Sequence, residues 1–83
     1  MKKIVFDVYD KVSKLFSDPV VVVNFDVYAR NLLDAEFIRN HLDDFDVYEL
    51  GIFDDASGKI ELYPTAIIHQ LGTLNYGTNK ESK

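Results

Sequence analysis

The sequence predicts an α+β domain: a small antiparallel or mixed sheet of about four strands, in the order β-β-α-β-β-α, with helices packed on one face. Three observations carry that expectation. KIVFDVYD near the start and FDVYELGIF in the middle alternate residues with the period of a half-buried strand. Between them Phe25, Tyr28, Ala29, Leu32 and Leu33 fall at helical spacing. DDASGK followed by KIELY has the form of a hairpin turn and its return strand.

Ile4, Phe6 and Val8 alternate with Val5, Asp7 and Tyr9, which predicts a strand over residues 2–9 with one buried face. DKVSKLFSDP is rich in turn formers and reads as a connection, with Pro19 fixing the backbone ahead of the next element. The β-branched run VVVV at 20–23 suits a short strand. Asn24 is placed to cap a helix over 25–33, with Asp26 in the first turn, where the helix dipole favours a negative charge. Ala35, Ile38 and Leu42 lie on a rotated face, so a bend and a second short helix over 35–42 are expected, capped by Asp34. The next strand, 46–53, contains Gly51 as a candidate bulge, and Gly58 stands where the following turn needs a left-handed residue. After Pro64, Thr65 can cap a short helix bearing Ile67, Ile68 and Leu71 that Gly72 would stop. Residues 1–76 are expected to form a single globular domain. GTNKESK, residues 77–83, has nothing to bury and is expected to be a disordered tail.

The tetrapeptide FDVY occurs three times, at residues 6–9, 25–28 and 45–48. The flanks share nothing, whereas structural repeats extend into similar neighbours. Two copies fall in expected strands and one in the first turn of an expected helix. The same letters then present different surfaces, and the recurrence reads as coincidence.

Composition removes several classes of function. An 83-residue chain is one domain and buries only about 60 to 65% of the surface its unfolded form exposes, which favours self-association as a homodimer. The apolar fraction of 47% argues against bulk disorder. Without cysteine there is no disulfide, thiol nucleophile or zinc-thiolate site, which fits a reducing cytoplasm. Asp7 and Asp10 break the opening apolar run too early for a signal peptide, and no stretch is long and apolar enough to span a membrane. The net charge of −5 is uneven: residues 1–24 carry a balance of +1 and residues 25–62 a balance of −7, the latter holding ten carboxylates. A polyanion should therefore meet the N-terminal part.

Asp43, Asp44, Asp46, Asp54 and Asp55 form an acidic cluster, but FDDASGKIE lacks the register of a calcium loop, so they read as a solvated turn face and no metal is expected. His41 and His69 have no nucleophile or orienting carboxylate in a recognisable motif, so no catalytic residue is assigned and the chain reads as a non-enzyme without cofactor. The candidate nucleic-acid-binding set is Lys2, Lys3, Tyr9, Lys11, Lys14 and Phe16, in which lysines for phosphates interleave with aromatics for stacking on single-stranded bases. The competing reading makes the aromatics core and the lysines solubilising.

VYDKVSKLFSDPVVVVN, then Ala29-Arg30 in a helix, then DDFDVYELGIFDDASGKIE, resembles the small non-structural protein of gokushoviruses, microviruses with circular single-stranded DNA genomes. The resemblance covers most of residues 4–62 and is most specific from Asp44 to Gly58. It departs between Leu33 and Asp43, where the family's proline-containing elements are missing. It implies a phage accessory protein made in the host cytoplasm, with a DNA-binding role in replication or packaging of single-stranded DNA, and no catalytic residue to carry over. The alternative is an acidic interaction module that engages a host or viral protein without touching DNA.

Overall fold

The computed structural model of the chain describes residues 1–73; the tail expected at 77–83 lies outside the described residues. Among the described residues, five strands and two α-helices run in the order β1 (Lys2–Asp10), β2 (Leu15–Phe16), β3 (Val20–Val22), α1 (Phe25–Leu33), α2 (Glu36–Arg39), β4 (Phe45–Asp54) and β5 (Lys59–Gln70). All pairings are antiparallel. The sheet order is β2-β1-β4-β5, and β3 also pairs with β1. Because β2 meets Tyr9 and Asp10 while β3 meets Ile4 to Phe6, both lie on the same edge of β1 and the sheet is four positions wide.

Alternation along β1 and β4 divides the sheet into two faces. On one, Phe6, Val8, Phe45 and Val47 form the core with Tyr28 and Leu71, and Ile4, Phe25, Leu32 and Ile38 pack around them. Phe6 is fully buried, its ring stacked on Tyr28 at 5.0 Å and tilted against Phe25 at 6.1 Å. Helix α1 docks there because its apolar stripe includes Phe25, Tyr28 and Leu32. The Asn24 side chain accepts the Val27 N–H at 2.9 Å and starts the helix. No helix among the described residues packs on the other face.

Four expectations need correction. The helix expected from Thr65 is the second half of β5, so the molecule is mainly β and does not follow the β-β-α-β-β-α order. Ile67, Ile68, His69 and Gln70 pair with Glu49, Tyr48, Val47 and Asp46. Pro64 misled the reading, but it falls where the ladder is interrupted, between the Leu62–Gly51 and Ile67–Glu49 pairs, so its missing N–H costs no ladder bond. Leu15–Phe16, read as connection, forms β2. The second helix is shorter than expected, with a 3-10 turn at Leu42–Asp44 after it. Asp34 is the C-cap of α1, and Ala35 precedes α2 without a side-chain cap bond.

The bulge at Gly51 is present on both sides of β4. A Cβ there would collide with the Glu61 carbonyl oxygen and lie 2.8 Å from Leu62 Cα, so the close approach of β5 requires glycine. Gly58 has φ +75°, the left-handed turn residue expected of the hairpin.

Candidate nucleic-acid interface

The uncovered face is built by the first and third FDVY tetrapeptides. They lie antiparallel and in register, with Asp7 opposite Tyr48, Val8 opposite Val47 and Tyr9 opposite Asp46. A local two-fold axis between the valines maps one tetrapeptide onto the other. The inward halves, Phe6, Val8, Phe45 and Val47, are core, and the outward halves make a checkerboard of two tyrosines and two aspartates. The second copy completes the inside, since Phe25 and Tyr28 cover Phe6. The recurrence read as coincidence thus marks one place in the fold.

Phe16 joins the checkerboard from β2. Its ring lies 4.6 Å from Tyr9 and 5.1 Å, edge-on, from Tyr48, and the two tyrosine rings are 6.2 Å apart. Phe16 remains 52% exposed, enough for a flat ligand to lie against it. The Lys11 ammonium is 3.6 Å from Asp46 Oδ1, close enough for charge attraction but too far for a hydrogen bond. Lys14 sits in the β1–β2 turn with φ +63°, its N–H donating to the Asp10 carbonyl at 2.7 Å. Asp10 Oδ1 accepts the Val12 N–H at 2.9 Å, and this bond chiefly holds the Asp10 carboxyl below its usual range.

The structure therefore brings together four of the six expected residues, Tyr9, Lys11, Lys14 and Phe16, at one end of β1. Lys2 and Lys3 are at the other end. Lys3 shares the face of Tyr9 but stands six residues away, roughly 20 Å along the strand. Lys2 points to the opposite face and, with Asp54, Lys59 and Glu61, lines a cavity of about 370 Å³. The charge division along the chain does not survive folding: Lys2 is paired opposite Asp54, Lys3 helps hold the Asp55 carboxyl low, and Lys11 faces Asp46. The first cause of the low Asp55 value is the N-terminal ammonium, 2.7 Å from Asp55 Oδ1.

Sequence reasoning missed Asp7, Asp46 and Tyr48. Asp7 is 9% exposed, its Oδ1 has no hydrogen-bond partner, and burial pushes its carboxyl above the usual range. The signal was the tetrapeptide itself, because two copies of one alternating string place like residues on the same face once the strands pair.

The other chemistry-bearing groups lie elsewhere. Asp54 and Asp55 are separated from Asp43, Asp44 and Asp46 by most of β4, which divides the acidic cluster. His41 Nδ1 lies 2.7 Å from the Phe37 carbonyl, beside the Phe37 ring. His69 Nε2 lies 3.1 Å from Glu49 Oε1, the Tyr63 hydroxyl donates to Glu49 Oε2 at 2.7 Å, and the His69 ring stacks on Phe25 at 4.2 Å. This group ties β4 to β5 across the interrupted ladder. The hydrogen bond to Glu49 is the main reason the Tyr63 hydroxyl titrates above its ordinary value. No described helix is long and apolar enough to cross a membrane.

Among known proteins, a family model described as Phage ORF5 protein matches residues 3–74. No curated protein and no solved structure matches the chain.

Proposed function

This chain belongs to the Phage ORF5 protein family, and we propose that it is a non-enzymatic phage accessory protein that binds single-stranded DNA on the uncovered face of its sheet. The observation that carries the reading is the Tyr9–Phe16–Tyr48 ring cluster on that face, with Lys11 and Lys14 beside it. Base stacking on aromatic rings contributes about 1–3 kcal/mol per base and tolerates any sequence. Lys11 and Lys14 are placed to meet phosphates at the rim, while Asp7 and Asp46 repel them at the centre. Affinity on such a surface comes from the rings more than from charge. The likeness to gokushovirus non-structural proteins supports a role in replication or packaging of a single-stranded genome in the host cytoplasm.

Fluorescence anisotropy with labelled oligonucleotides tests this. Binding should weaken with salt at a slope of roughly −1.4 in log K against log salt, since two lysines, Lys11 and Lys14, meet phosphates. Phe16→Ala should lower affinity by about tenfold, the equivalent of one lost stacking contact. Absence of binding at low salt removes the DNA role.

A second reading has its own observation. On the edge strand β5, Ile60 and Leu62 share a face and are 55% and 65% exposed, and Ile67 and Ile68, on opposite faces of its second half, are 49% and 51% exposed, along an edge that no described strand pairs. A second copy of the chain pairing there makes a homodimer, and a basic host or viral protein drawn by the acidic surface is the alternative occupant. Ultracentrifugation of the protein alone separates them: a dimer that Leu62→Lys dissociates favours self-association, and a monomer favours the partner protein.

A further inference from the structure

Asp7 and Asp46 are the residues of the uncovered face that neither folding nor general DNA affinity explains. Each has a carboxylate oxygen that is buried and without a hydrogen bond. Such groups cost stability, and in a native structure they call for a role. Asp46 has Lys11 at 3.6 Å, and Asp7 has no ion pair at all among the described residues. Both project from the same face as the rings. Asp7 lies directly across the ladder from Tyr48, and Asp46 from Tyr9, so each tyrosine has a carboxylate at its side. The rings of Tyr9, Phe16 and Tyr48 stand beside them on that face, and no described helix packs over it.

A base stacked on Tyr9 or Tyr48 directs its edge toward the neighbouring carboxylate. An ionised carboxylate only accepts hydrogen bonds, so the base that fits best presents two adjacent donors. Guanine does, through N1–H and N2–H on one edge. Cytosine and adenine offer an amino group, whereas thymine offers a single imino N–H flanked by two oxygens that a carboxylate repels. Resting on the DNA-binding reading above, we infer that the checkerboard is a base-selective site in which Asp7 and Asp46 accept hydrogen bonds from a stacked guanine and discriminate against thymine. The cost of keeping two carboxylates beside a polyanion is offset when a donor edge fills them.

The test uses the full chain and oligo(dT) tracts in which the central base is dT, dC, dG or inosine. A single guanine avoids quadruplex formation. The dG oligonucleotide should bind about tenfold more tightly than the dT tract, as for a bidentate contact, with inosine intermediate because it lacks the N2 amino group. Asp46→Asn replaces one acceptor by a donor and should bring the dG-to-dT affinity ratio down toward one. Asp7→Asn, expected to be the more stable variant, repeats the measurement should Asp46→Asn fail to fold. Equal affinity for dG and dT, or a guanine preference that survives both substitutions, overturns the selectivity and leaves the DNA reading in place. No binding to any oligonucleotide overturns both.

Discussion

Asp7 keeps a buried carboxylate oxygen without a donor in a face lined by aromatic rings. Its pKa is raised by burial, so between the ordinary aspartate value and the folded value the native state binds more protons than the unfolded chain. Its contribution is therefore most favourable below that window and is lost as pH rises through the folded value. Asp7→Asn should unfold at a higher temperature than the parent at pH 7, and the two melting curves should converge as the pH is lowered below the ordinary aspartate range. Asp10 and Asp55 act in the opposite sense: their lowered values contribute stability at neutral pH that is lost as pH falls through those values. A left-handed backbone costs a lysine about 1 kcal/mol that glycine avoids, so Lys14→Gly should raise stability by about that much in urea denaturation. The same change should weaken oligonucleotide binding, because the charge at the rim is lost.

Strand β5 shows where local sequence and tertiary context disagree. TAIIHQ after a proline satisfies the signals of a capped helix, and the same residues are strand in the fold. The deciding force is β4, ten residues long and lying between two neighbours, which would leave half of its outer edge unpaired if β5 stopped at Pro64. Gly51 and the Glu49 cluster manage the interruption between the two halves. Gly51→Ala should therefore cost about 1–3 kcal/mol through overpacking against Glu61 and Leu62, measured by thermal or chemical unfolding. Removing the Tyr63 hydroxyl with Tyr63→Phe should cost about 1 kcal/mol, since Glu49 keeps its contact to His69. In α1 the cap was readable in advance, and Asn24→Ala should lower stability by about 1 kcal/mol.

Across the whole molecule, the first strand, the first helix, the bulged fourth strand and the hairpin were legible in the sequence. In each, a periodic stripe meets a local signal that agrees with it: Asn24 at the helix start, Gly51 at the bulge, Gly58 at the turn. The ring cluster was legible in part. Tyr9 and Phe16 were identifiable as aromatics near lysines, but their contact with Tyr48 depends on a strand that begins only at Phe45, and pairing across that distance leaves no local trace. Charge was misleading for the same reason, because antiparallel pairing of β1 with β4 lays the N-terminal lysines beside the carboxylates of the middle segment. By itself, the sequence determined which residues alternate, where α1 begins and that three copies of one tetrapeptide exist. Only the tertiary structure decided that β5 continues past Pro64 and that Asp7, Tyr9, Asp46 and Tyr48 share one uncovered face. Both outcomes depend on the register between strands distant in the chain, which is set by satisfying backbone hydrogen bonds and burying the opposite face together.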